Sequence, residues 1–341
     1  MDEHLLENII IKDFKCFKGF QAEGFKRVNL IGGKNNVGKT AFMEASFLVS
    51  NYSQILKNLK TPINRELLYF EIIKLLLSIE QNRNSKDFLL EWLKEEFNFN
   101  NYNFEIEIVE DVRLNCEDNF LSPDEFQKHN YWNHGKIDIS SFRKNINYNK
   151  IYKKNHPPLL YNDTFISTQN NNNETIKNMV DDSKLLSKYD YINKLMNEIF
   201  DIEKIDVIKN KVMLQQGGKF FELKEFGDGL KQFFTIILVL LTNKEKIIFI
   251  DEIENGVHYT LLGKLWEIIL SVSKEQNVQV FATTHSKEMI ESFARVSKKL
   301  EDKEVSFIEL GRDKENQIQA NVLDFDKFQK EIEMGNGIRG W

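Results

Sequence analysis

The chain of 341 residues is long enough for about two structural units, or for one large α/β domain carrying an insertion. Its 41% hydrophobic and 29% charged residues are typical of globular proteins, which excludes global disorder, a collagen-like repeat and a membrane-embedded chain. Lys plus Arg at 46 against Asp plus Glu at 52 leaves a net charge of −6, too mild for avid non-specific binding to DNA or anionic lipid.

The longest apolar run, residues 233–241, is far shorter than the roughly 20 residues that span a bilayer, so no membrane association is expected. The acidic start, Met1-Asp2-Glu3-His4, lacks the basic and small-residue features of a signal peptide, and a cytoplasmic protein is expected. Cys16 and Cys116 are the only cysteines, a poor disulfide framework, and both read as inert thiols.

In chain order, two strands are predicted between Asn8 and Ile31, at residues 9–11 and 28–31. A polar and aromatic stretch with Phe14, Phe17 and Phe20 separates them. A glycine loop and a helix from about Lys39 follow the second strand. Residues 51–159 change character and read as an inserted lobe, with amphipathic helical patterns at 67–79 and 88–97 and an alternating strand at 104–109. Within that lobe, residues 139–158 interleave Arg143, Lys144, Lys150, Lys153 and Lys154 with Phe142, Tyr148 and Tyr152, a pattern that suits either nucleic acid or a solvated loop.

Residues 168–173 are Asn-rich and read as a flexible surface loop, and helical patterns resume at about 176–200. Beyond Gly217-Gly218 and Gly227 to Gly229 come a helix (230–241), a buried strand (246–250), a helix (259–273) and another apolar strand (278–282). Strands alternating with helices predict an α/β fold with a mostly parallel central sheet.

The chemistry starts at Gly33-Lys34-Asn35-Asn36-Val37-Gly38-Lys39-Thr40, a GxxxxGK[ST] pattern that chance places in roughly 1% of chains this long. It follows a predicted strand and opens a predicted helix, where backbone N–H groups and the positive helix end can cradle phosphate. Ala41 continues that cradle into the helix. Lys39 is expected to reach the β and γ phosphates, and Thr40 to place its hydroxyl on Mg²⁺.

The complementary half is Ile247-Ile248-Phe249-Ile250-Asp251-Glu252, a buried strand delivering two carboxylates to the crevice of an open sheet. Asp251 suits the Mg²⁺ shell, and Glu252 is placed to orient or deprotonate the attacking water. A second buried strand ends in Thr283-Thr284-His285-Ser286, and a neutral His285 can hydrogen-bond the γ-phosphate or the water. Cys116, His129, His134 and His156 share the inserted lobe without the paired spacing of a zinc site.

The stretches VNLIGGKNNVGKTAFME (28–44), FGDGLKQ (226–232), IFIDEIENGVH (248–258) and VFATTHS (280–286) resemble the ATP-binding heads of the ABC class. The resemblance is to the OLD-related (overcoming lysogenization defect) ATPases, a group also described as AAA-type ATP-binding proteins. It covers roughly residues 5–50 and 160–310 and leaves out the inserted lobe. It implies a discontinuous head from 1–50 and 160–341, ATP and Mg²⁺ as ligands, and a homodimer that sandwiches nucleotide. Gly227, Asp228 and Gly229 then occupy the signature position, which contacts the partner's γ-phosphate. Gly227 departs from the usual Ser there, and Asp228 brings a negative charge unless it turns away or pairs with Lys231. Glu254, Asn255 and His258 match a stretch near the dimer seam of these relatives. Gln169 is the candidate for the glutamine loop.

About 30 residues follow Leu310, too few for the TOPRIM nuclease domain of many OLD proteins. The resemblance therefore implies an ATP-driven switch acting on a separate effector, a nuclease or toxin, in anti-phage defence. The alternatives are a DNA-acting head of the SMC or repair type, although 51–159 lacks sustained heptads, and a nucleotide-binding scaffold that does not turn over. A transporter head is disfavoured by the lack of a membrane span.

Overall fold

The computed structural model describes residues 5–58, 105–107, 164–166 and 173–335. The helical patterns at 67–79 and 88–97, the basic-aromatic stretch, Gln169 and the set of Cys116, His129, His134 and His156 lie outside these residues.

β1 (Asn8–Phe14) and β2 (Phe17–Glu23) make an antiparallel hairpin with Ile11 opposite Phe20 and Phe14 opposite Phe17. The stretch read as a spacer is thus a strand. Gly19 at φ 62 breaks the two-residue alternation, which hid the strand while leaving Phe17, Phe20 and Ala22 buried. β3 (Val28–Gly33) leads into α1 (Lys39–Asn58), and β4 (Glu105–Glu107) adds to β1 with Ile106 opposite Ile11. β5 is Thr164–Ile166.

The helical pattern expected at 176–200 is two helices, α2 (Asn173–Leu185) and α3 (Tyr189–Phe200), parted where Ser187 takes φ 56. The meander β6 (Lys204–Ile208), β7 (Lys211–Gln216) and β8 (Lys219–Glu222) has no counterpart in the sequence reading. Its turns, Lys209-Asn210 and Gly217-Gly218, hold both residues at positive φ, the geometry that matches strand twist. Then come α4 (Asp228–Thr242), β9 (Ile247–Ile250), α5 (Leu262–Gln276), β10 (Gln279–Thr283) and α6 (Lys287–Lys299). β11 (Val305–Arg312), β12 (Ile318–Asp324) and α7 (Phe325–Glu333) close the described chain.

The central sheet runs β12-β11-β3-β10-β9-β5; only β12 is antiparallel. This is the α/β architecture with a mostly parallel sheet that the alternation of strands and helices predicts. β9 and β10 are buried at every position because both sheet faces are covered, and so they read as unbroken apolar runs. Val28, Leu30, Ile248, Ile250, Val280 and Ala282 pack with α4, α5 and α6 on one face. Ile31, Ile247, Phe249 and Phe281 pack with β1, β2 and α1 on the other. There Phe249 and Phe281 stack with centroids 5.4 Å apart across neighbouring strands. Among the described residues no helix is long and apolar enough to cross a membrane.

Candidate functional site

β10 lies between β3 and β9, and the three run parallel, so the loops leaving their carboxyl ends emerge side by side. Ligands of open α/β sheets bind at such a crevice. The three loops are the glycine loop after β3, Asp251-Glu252 after β9 and Thr284-His285 after β10.

The glycine loop bends at Gly33 (φ 146), Asn36 (φ 61) and Gly38 (φ 103). A Cβ on Gly33 would meet the Leu310 carbonyl oxygen at 2.4 Å, and one on Gly38 would meet Cys16 Sγ at 2.8 Å, so neither glycine can be replaced without displacing a neighbour. Val37 is buried and pins the loop to the core, while Lys34, Asn35 and Asn36 face outward. The helix starts at once, with the Phe42 N–H donating to the Gly38 carbonyl at 2.8 Å. Ala41 buries its methyl in the core, leaving its backbone N–H among the first-turn donors that have no carbonyl within the helix. Those donors and the helix dipole favour an anion at this end. Desolvation by burial raises the pKa of Cys16, the opposite of a reactive thiolate.

Lys39 is buried, and its ammonium donates to the carbonyls of Gly33 at 2.8 Å and Lys34 at 3.0 Å. Burial pushes its pKa down to about 8, while Glu254, Asp251 and Glu252 act to raise it. Three carboxylates therefore stand within electrostatic reach of one phosphate-loop lysine.

Asp251 is held from two sides. The Thr40 hydroxyl donates to its Oδ2 at 3.1 Å, and the Thr283 hydroxyl donates to its Oδ1 at 2.6 Å. Thr283 also accepts the Glu252 N–H at 2.8 Å, and its carbonyl accepts the Ile253 N–H at 3.0 Å. Sequence reasoning gave Thr283 no role. Its signal is a polar residue, 1% exposed, at the end of an otherwise apolar strand.

Glu252 sits at φ 50, a left-handed conformation costing about 1–3 kcal/mol for a side chain of this kind unless the surroundings fix it. The bond from its N–H to Thr283 supplies that restraint. Its Oε1 lies 3.8 Å from His285 Nε2, with both side chains partly open to solvent. The His285 backbone N–H donates to Glu254 Oε1 at 2.6 Å. The structure thus gathers Lys39, Thr40, Asp251, Glu252 and His285 at one end of the sheet.

The signature-position residues meet a different neighbour. Gly227 precedes α4, and Asp228 and Gly229 form its first turn. A Cβ on Gly229 would lie 1.9 Å from the Gly256 carbonyl oxygen, so the start of α4 rests on the turn carrying Glu252 and Glu254. Among the described residues no hydrogen bond joins Gly227, Asp228 or Gly229 to residues 33–40. His258 hydrogen-bonds the Thr260 hydroxyl through Nδ1 at 2.8 Å and packs on Tyr259, which is 71% exposed.

The residues fit a nucleotide with its Mg²⁺. The loop offers backbone donors where side chains cannot enter, and Thr40 and Asp251 form an all-oxygen pair of the kind Mg²⁺ takes. A glycine phosphate loop between a parallel strand and a helix, facing paired carboxylates on a nearby strand, defines the P-loop nucleoside triphosphatases.

Residues 28–291 match the family described as "AAA domain, putative AbiEii toxin, Type IV TA system". The chain belongs to this family of AAA-type domains and is an ATPase of the P-loop class. A relative from Helicobacter pylori (strain ATCC 700392 / 26695), named ATP/GTP phosphatase, is 26% identical over 335 residues, covering 86% of this chain and 88% of its own. Among solved structures, an SMC head bound to the C-winged helix domain of ScpA aligns with a TM-score of 0.49 at 12% identity, over 95% of this chain and 99% of that one. The SMC head domain from Thermotoga maritima aligns at 0.41 and 11% identity, over 93% and 98%.

Proposed function

We propose that the protein is an Mg²⁺-dependent ATPase of the OLD-related type. In this reading ATP governs a homodimer that controls a separate nuclease or toxin effector in bacterial anti-phage defence, in the cytoplasm. The observation that carries the ATPase part is Asp251, bonded at once to Thr40 of the phosphate loop and Thr283 of the neighbouring strand. The nuclease or toxin partner and the defence role rest on the resemblance of the four sequence stretches. In this reading residues 51–159 are an inserted lobe, apart from a discontinuous head of 1–50 and 160–341.

In this reading Lys39 exchanges the carbonyls of Gly33 and Lys34 for phosphate oxygens, together with the backbone of Gly33 to Ala41. Thr40 and Asp251 would hold Mg²⁺, which would supply neutralising charge to the phosphates. Glu252 accepts the proton of the attacking water, and His285 hydrogen-bonds the γ-phosphate from the other side of the crevice. Gly227, Asp228 and Gly229 serve the nucleotide of the second protomer, while within the chain the backbone of Asp228 and Gly229 packs on Gly256.

Steady-state Mg²⁺-ATP turnover, measured across protein concentrations with Glu252→Gln as the matched control, tests this. The expected result is turnover by the wild type that rises faster than linearly with concentration and is lost in Glu252→Gln. Equal turnover in both proteins overturns the role of Glu252, and strictly linear dependence overturns the sandwich dimer.

A further inference from the structure

Glu254 lies two residues beyond Glu252 on the turn that leaves β9, yet its contacts run to other elements. Its Oε1 accepts the His285 N–H from the loop after β10, at 2.6 Å. Its Oε2 is buried and has no hydrogen-bond partner among the described residues. A carboxylate with one oxygen bonded and the other buried without a partner is costly unless its position does something for the fold or the site. Of the carboxylates whose charge acts on Lys39, that of Glu254 acts most strongly.

The consequence is geometric. β9 and β10 are joined through Thr283 at the level of Asp251 and Glu252, and Glu254 adds a second tie one step further out. Beyond that tie the chain turns into α6, whose first turn is capped when the Ser286 hydroxyl accepts the Met289 N–H at 3.1 Å. Only Thr284 and His285 separate the buried strand β10, ending at Thr283, from the helix cap at Ser286. The His285 side chain is 37% exposed and stands 3.8 Å from Glu252, so the backbone bond to Glu254 is what fixes where the imidazole starts.

We infer that Glu254 is a positioning residue for the hydrolysis of ATP, holding the His285 backbone so that the imidazole meets the water and phosphate beside Glu252. The inference rests on the ATPase reading above. In this role Glu254 acts through His285 rather than on the reacting atoms. A charge-assisted bond of this kind is worth about 10- to 100-fold in rate when it serves only the transition state.

The test uses the full-length protein with Glu254→Ala, which removes the acceptor, and Glu254→Gln, which keeps an oxygen at that place. Turnover should fall about 10- to 100-fold in Glu254→Ala with ATP affinity within about threefold of wild type, and Glu254→Gln should restore most of it. Glu254→Ala should cost nothing further in a His285→Ala background, because both changes disable the same group. In histidine-selective ¹⁵N-labelled protein the His285 amide proton should move upfield in Glu254→Ala and stay near its place in Glu254→Gln. Should Glu254→Ala fail to fold, Glu254→Asp, one methylene shorter, carries the same expectations. Additive losses, a Glu254→Gln enzyme as slow as Glu254→Ala, or an unmoved amide overturn the inference. A wild type without Glu252-dependent turnover overturns the ATPase reading, whereas full turnover in Glu254→Ala overturns this inference alone.

Discussion

The Thr283 hydroxyl donates to Asp251 Oδ1 at 2.6 Å while accepting the backbone N–H of Glu252 at 2.8 Å. One side chain on β10 thereby fixes both carboxyl-bearing residues that follow β9, including the left-handed backbone of Glu252. Thr283→Val keeps the branched shape of the strand residue but removes both bonds. It leaves a peptide N–H and a carboxylate oxygen short of a partner in a part-buried place, a change worth about 1.5–3 kcal/mol. Turnover should drop about tenfold or more with ATP affinity held within a few-fold, as read by steady-state kinetics beside calorimetric titration. Unchanged turnover would show that Asp251 and Glu252 are held by other groups.

Lys39 lies within the glycine loop's fold, its ammonium bonded to two of the loop's own carbonyls. Lys39→Ala removes the charge that the β and γ phosphates require and should weaken ATP binding at least about 100-fold, measured by titration calorimetry. Gly33→Ala acts on the same site through backbone shape. Its methyl would press on the Leu310 carbonyl oxygen at 2.4 Å with φ at 146, so it should weaken binding and lower the melting temperature together. Wild-type affinity in both variants would remove residues 33–40 from the phosphate site.

The layout around the loop was legible because each strand there carries a hard physical mark. Ile247 to Ile250 is apolar throughout because helices cover both faces, and the glycines at 33 and 38 stand where a Cβ would strike a neighbour. Thr283 was not legible, and Glu254 was legible only as part of a stretch matched in relatives, since the bonds of both join segments that are neighbours in space and about 30 positions apart in sequence. β2 was hidden by Gly19, whose positive φ shifts the inward-facing residues from a two-residue to a three-residue step between Phe17 and Phe20. The β6–β8 meander was hidden because its strands are short and only partly buried. Its surest marks were the two-residue turns Lys209-Asn210 and Gly217-Gly218, and only the second advertises itself by composition.

Away from the site, α7 is capped by Asp324, whose carboxylate accepts the Lys327 N–H at 3.0 Å. That bond, with the Lys327 charge behind it, holds the Asp324 pKa below the ordinary aspartate value. A group with a lowered pKa in the folded state stabilises fully above its unfolded value, and the contribution is lost as pH falls through the folded value. Asp324→Ala should cost about 1 kcal/mol at neutral pH, and the difference from wild type should shrink in acid below the aspartate range. Denaturant melts at neutral and acid pH read this directly. A penalty that persists undiminished in acid would assign the loss to packing rather than to the charged cap.

Gly229 and Gly256 bring two backbone segments close together near the crevice, segments with separate expected tasks. Gly229 belongs to the first turn of α4, and Gly256, at φ 71, ends the turn that carries Glu252 and Glu254. A methyl on Gly229 would stand 1.9 Å from the Gly256 carbonyl oxygen, and backbone cannot yield as a flexible side chain does. Gly229→Ala must therefore push the helix start away from the catalytic turn. The expected outcome is turnover reduced about tenfold or more, with ATP affinity changed far less, because Lys39 and the loop after β3 are untouched. If the variant binds and hydrolyses ATP as the wild type does, the approach of α4 to Gly256 has no bearing on Glu252. If ATP affinity is lost together with turnover, the start of α4 supports the phosphate loop itself rather than the catalytic turn.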